Sequence, residues 1–171
     1  MITDEHWIDN YLRPQFMKAI AHITRMTKWE WTKRSGLFRL LGADFMIDEN
    51  LKVWFIEVNF FPMLFRTRPD VWKWTTDLIK DMIEIEYGLL KSRMTRVSRF
   101  MRSYIKTCML KESNCDKKVW QEMFFKINKE EMDPQFAPRP DNGWRLIVDE
   151  SKPGKEAYMG LLDASCFEGE N

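Results

Sequence analysis

Cysteine, histidine and glycine are all scarce in this chain of 171 residues, and each shortage closes off a class of chemistry. The three cysteines, Cys108, Cys115 and Cys166, show no CxxC spacing. Neither a zinc site nor a disulfide framework is therefore expected, and a reducing compartment fits. His6 and His22 stand sixteen residues apart with no carboxylate or thiol cluster beside them, as packing or surface residues do rather than ligands or a general base. The seven glycines are scattered and form no phosphate-cradling loop. Neither Ser35 nor Cys108 comes with a nearby histidine or an elbow motif, so no activated nucleophile is expected. No apolar run reaches the roughly eighteen residues a membrane span needs. The opening "MITDEHWIDNYL" is acidic and aromatic, unlike a targeting peptide. The expected location is the cytoplasm. Net charge is only +1, so any electrostatic partner must meet a local cluster.

Large side chains are abundant instead. Eight Trp, twelve Phe and twelve Met within a 44% hydrophobic, 31% charged composition suit a globular protein with a thick core or an apolar surface that a partner covers. Residues 3 to 26 repeat Trp7, Tyr11, Leu12, Phe16, Ala19, Ile20 and Ile23 at helical intervals, with Thr3 as cap and Pro14 as a kink or a junction of two helices. From 37 to 59 the pattern changes to two β-compatible runs around Asp48-Glu49-Asn50, an antiparallel hairpin whose second strand is apolar enough for a central position. Thr67 and Asp70 resemble a capping box, opening a helix that Gly88 ends or bends. Helical patterns continue to about residue 110 and again over 116 to 131. Beyond Asp133-Pro134 they give way to an extended, Pro- and Gly-containing tail with one short strand candidate at 145 to 148.

The hairpin carries the chemistry. With an even-length loop, Asp44 falls on the same sheet face as Glu57 and Asn59, while Phe45, Ile47, Trp54, Ile56 and Val58 take the other, helix-covered face. Two carboxylates and a carboxamide on one spot are hard oxygen ligands of the kind that suit Mg²⁺ and leave room for nucleotide phosphates. A polar sheet face that only meets water is the plainer alternative.

Leu41-Gly42-Ala43-Asp44, Asp48-Glu49-Asn50 and Glu57-Val58-Asn59 together resemble the C-terminal signature of the tubulin–tyrosine-ligase-like family, in the ATP-grasp superfamily. Trp7 and the helix with Asp70, Trp72 and Asp77 match more loosely, and the resemblance covers roughly residues 1 to 90. It implies an α/β (α+β) fold: a partial ATP-grasp-like C-terminal half, with an antiparallel hairpin backed by helices. A helical extension over 91–132 and an irregular tail over 133–171 would follow. It also implies Asp44, Glu57 and Asn59 as ligands of Mg²⁺ on ATP, holding phosphoryl oxygens by electrostatics rather than acting as nucleophiles. Members of the family phosphorylate a carboxylate to an acyl phosphate and join Tyr, Glu or Gly to tubulin.

After Asn59 the family shows a small or polar residue and then Pro-Ser, whereas this chain has Phe60-Phe61-Pro62-Met63. The adenine clamp and the phosphate-binding lysines of such folds would lie upstream of Met1. The chain is therefore expected to hold a metal corner without a nucleotide pocket and to be inactive alone. The alternative is a shortened, non-catalytic member that serves as a structural part of a microtubule or ciliary assembly.

From Lys91 to Lys118 nine Lys/Arg stand against two acids, with Arg93, Arg96, Arg99, Arg102 and Lys106 at steps of three and four. These five are read as one side of a helix, either simply solvated or an anion-binding stripe. The resemblance supplies the partner, because glutamylating relatives carry a basic helix that engages acidic tubulin. Phe100 and Tyr104 are too little aromatic interleaving, without a recognition motif, for nucleic acid.

Overall fold

The computed structural model describes residues 5–31, 37–64, 69–110, 115–127 and 132–167. Two compact units make up the chain. One comprises 1–32, 38–63 and 145–171, the other 33–37 and 64–144.

In the first unit a π-helical turn, Ile8–Leu12, runs into helix α1, Arg13–Thr27. Pro14 sits in the first turn of α1, where its missing N–H costs nothing, so it marks the expected junction. Strands β1 (Gly42–Ile47) and β2 (Val53–Asn59) form an antiparallel pair. Phe16 of α1 packs edge-on against Phe45 at 5.0 Å, and Phe45 meets Phe55 at 5.8 Å, so one sheet face is backed by α1 as expected. Gln15 ties the two together. Its amide nitrogen donates to the carbonyl of Leu51 at 3.0 Å, and its oxygen accepts from the Val53 amide at 3.1 Å.

Three expectations about the hairpin change. Among the described residues the sheet has only two strands, so β2 is paired on one side rather than central. The loop 48–52 holds an odd number of residues, which by itself would pair Asp44 with Ile56. A β-bulge absorbs the difference: Phe45 pairs with Phe55 but Asp44 with Glu57, leaving Ile56 as the extra residue. Trp54 pairs with Met46 and so shares the face of Asp44, not that of Phe45.

The stretch 145 to 148 is not a strand. Ile147 and Val148 instead pack together on a small core of Ala21, Ala157, Tyr158 and Leu162. Successive side chains of a strand point to opposite faces, so a segment burying two consecutive residues on one core is irregular. The chain then turns through two 3₁₀ segments, Gly154–Tyr158 and Ala164–Phe167. Lys18 pairs with Asp163 at 3.0 Å, and the Arg25 guanidinium lies over the Phe167 ring.

The second unit is built on helix α2, Pro69–Tyr104, which is unbroken through Gly88. That glycine does not end the helix. A Cβ there would collide with the carbonyl oxygen of Phe136, so Gly88 allows the segment after Met132 to lie against α2. The Asp133 amide donates to the buried Ser92 hydroxyl at 2.8 Å. Further along, Arg139 bridges Asp81 (2.8 Å) and Glu84 (3.1 Å). Asn142, only 4% exposed, donates to the Asp81 carbonyl and to Glu84, both at 3.0 Å. Asparagine and arginine together hold Glu84 below its ordinary pKa.

A π-helical turn, Ile105–Met109, closes α2, and α3 covers Lys117–Ile127. Asp116 precedes α3, and residues 128 to 131 of the expected 116 to 131 helix, like the capping box at Thr67 and Asp70 and the cap at Thr3, lie outside the described residues or side chains. Phe100 and Tyr104 of α2 receive Trp120 and Phe124 of α3, with ring centroids 5.3–5.7 Å apart. Cys108 and Cys115 are joined by a disulfide, against the expectation of three reduced thiols. Spacing rules count sequence intervals, whereas here the turn after α2 brings the two Cα atoms within 4.8 Å. Cys166 remains free.

Candidate functional site

β1 and β2 bring Asp44, Glu57 and Asn59 onto one face. Glu57 is the direct cross-strand partner of Asp44, and Asn59, two residues on, is the partner of Gly42. The Asn59 carboxamide donates to Asp44 Oδ2 at 2.7 Å, which orients both side chains. Gly42, across from Asn59, is closely approached by the loop after β2. A Cβ at 42 would press on Pro62 Cβ at 3.0 Å, so the missing side chain lets the loop after β2 fold back over the strand end. Asp44 and Glu57 are exposed and Asn59 half-buried, so the two carboxylates form a solvent-facing pair.

Among the described residues no group of three or more His, Cys, Asp or Glu side chains gathers to hold a metal. What the strands offer is two carboxylates and one amide oxygen. That donor set fits Mg²⁺, which binds through one or two carboxylates and takes the rest of its shell from water and phosphate. It does not make a closed protein cage.

Asp48 anchors the turn beside this face. Its carboxylate accepts the amides of Asn50 (2.9 Å) and Lys52 (3.0 Å) and the Trp54 indole N–H (2.8 Å). The Trp54 hydrogen bond and then the Lys52 amide hold the Asp48 carboxyl below its ordinary 3.8. The Lys52 ammonium lies over the Trp54 ring at 4.0 Å. The turn itself was readable from Asp48-Glu49-Asn50, but the roles of Gln15 and Trp54 had no sequence signal.

The basic residues are not on one side of α2. Steps of three in an α-helix of 3.6 residues per turn drift by about 60° each, so Arg93 and Arg102 lie about two and a half turns apart on opposite sides. Arg93 and Arg96 are half-buried and have partners. Arg99, Arg102 and Lys106 are exposed and keep to one flank.

The tubulin-tyrosine ligase family pattern matches residues 3–96, more than half of the chain. Among curated proteins, the "Inactive polyglycylase TTLL10" of Homo sapiens is 36% identical over 58 residues, 34% of this chain and 9% of that protein. "Tubulin glycylase 3C" of Tetrahymena thermophila is 26% identical over 87 residues, 50% of this chain and 8% of that protein. "Protein monoglycylase TTLL8" of Homo sapiens is 29% identical over 72 residues, 42% of this chain and 8% of that protein. The chain thus covers less than a tenth of the length of these relatives. No solved structure matches significantly. The α+β architecture, a two-stranded antiparallel sheet with helices, is compatible with part of an ATP-grasp-like ligase. By the extent of the family match, this chain belongs to the tubulin-tyrosine ligase family.

Proposed function

We propose that the chain supplies the divalent-metal corner of a ligase that uses ATP to join an amino acid to tubulin. The observation that carries the reading is the cross-strand pair of Asp44 and Glu57, with Asn59 bonded to Asp44, inside the family match. Bound there, Mg²⁺ would neutralise the phosphate charge of ATP as its terminal phosphoryl group moves to a carboxylate. Asp44 and Glu57 are ligands in this reading and Asn59 both ligand and tether. Phosphoryl transfer releases ADP, and attack of an amine on the acyl carbon then expels phosphate and leaves an amide. The relatives' names make glycine the first amino acid to test.

The experiment is ATP-dependent transfer of labelled glycine, glutamate or tyrosine to tubulin by the protein that carries this segment. Asp44→Asn and Glu57→Gln should each lower the rate by roughly a hundredfold or more, the scale of losing a charge-stabilising group. Parent-like transfer by both variants sinks the metal reading.

A second reading has its own support in the relative named inactive, and in the solvent-facing carboxylates. On it the chain is a non-catalytic member, a structural component of a microtubule or ciliary assembly. The same assay separates the two, since the second reading expects no transfer of any of the three amino acids by the parent protein.

A further inference from the structure

Cys108 stands in the π-helical turn that ends α2, and Cys115 stands two residues before α3. Both cysteines of the disulfide are half-buried, within reach of a small thiol. The helix that follows is thinly held. It has 11 residues, buries none of them fully, and leaves Phe125 73% exposed. A helix this short is marginal in water, so its persistence depends on docking. Its docking runs through Trp120 and Phe124 against Phe100 and Tyr104, next to the disulfide.

We propose that Cys108 and Cys115 are a reversible thiol–disulfide site that docks and releases α3 at the end of the basic helix, with glutathione disulfide as the class of oxidant. In the docking direction one cysteine gives up its proton and attacks a sulfur of glutathione disulfide. One glutathione leaves as a thiolate and takes up a proton, and a mixed disulfide remains. The second cysteine, likewise deprotonated, displaces the second glutathione. Two electrons pass from the cysteine sulfurs to the glutathione sulfurs, and reduced glutathione runs the exchange backwards. Docked, α3 covers Phe100 and Tyr104. Released, it uncovers both rings on the helix that carries Arg99, Arg102 and Lys106.

The test cycles the full 171-residue chain through glutathione disulfide and reduced glutathione while thiols are counted and amide exchange is followed. The oxidised chain should hold Cys108 and Cys115 as a protein disulfide, with Cys166 free or carrying one glutathione, and the reduced chain should show all three thiols. Exchange over 117–127 should quicken at least roughly tenfold on reduction, because a cross-link restrains opening, and should slow again on reoxidation. Exchange over 70–95 should not change. Cys108→Ser and Cys115→Ser should each hold α3 in the fast-exchanging state under both conditions. Equal protection of α3 in the oxidised and reduced parent overturns the proposal, and so do three free thiols in excess glutathione disulfide. Should the serine variants fail to fold, the parent cycle decides, since it uses no substitution.

Discussion

At Asp48 a single carboxylate collects three donors, and its hold on the hairpin is tied to its charge. Its folded pKa lies below the ordinary 3.8, so the folded chain binds the proton less readily than the unfolded one. That stabilisation is complete above the unfolded value and is lost as pH falls through the folded one. Asp48→Asn should therefore remove the acid dependence of this turn. The check is the Lys52 amide and the Trp54 indole N–H followed by NMR through the acid range: both should titrate together in the parent and not in the variant. Gly42 is the other decisive position. Gly42→Ala must displace Pro62, and the expected result is a shifted loop after β2 with a weakened Asn59–Asp44 bond. Unmoved Asn59 side-chain resonances would show that Pro62 yields without disturbing the site.

Along α2 two opposed effects can be ranked by size. Replacing a mid-helix glycine by alanine gains about 1 kcal/mol of helix propensity. At Gly88 the added Cβ drives into the Phe136 backbone, an overpacking of about 1–3 kcal/mol. Gly88→Ala should thus destabilise the chain on balance and speed exchange over 132–144; a raised denaturation midpoint would refute this. Asn142→Ala leaves the Asp81 carbonyl and Glu84 short of donors, a cost of about 1–3 kcal/mol on removal of a buried partner, to be read from denaturant unfolding. The elements visible in the sequence were those written in local period: α1 from its apolar spacing, the hairpin from its turn residues, α3 from the helical pattern that opens near 116. The shared face of Asp44, Glu57 and Asn59 was visible too, though the even loop assumed for it is odd and the bulge at Ile56 restores the pairing. What local period cannot encode is a long-range backbone approach. Gly88 therefore resembled a helix end, 145 to 148 resembled a strand, and two cysteines seven residues apart resembled free thiols.

For the molecule as a whole, charge and order of folding are the two quantities that matter. Near-zero net charge leaves Arg99, Arg102 and Lys106 as a local field, and exposed ion pairs are worth only about 0.2–1 kcal/mol each. If this flank meets the acidic surface of tubulin, co-sedimentation with microtubules should fall steeply as salt shortens the Debye length to about 8 Å. Replacing all three by Glu should abolish it with the circular dichroism unchanged, and parent-like binding by that variant would move the contact elsewhere. The first unit draws on both ends of the sequence: Ala21 of α1 is sealed by Ala157, Tyr158 and Leu162, and Lys18 finds Asp163 across 145 residues. During synthesis α1 therefore leaves the ribosome well before the segment that covers it, while residues 64–144 already hold their own partners. The unit begun first is completed last. Until then Ala21 lacks the residues that seal it, and a stop codon near residue 144 would remove that cover altogether.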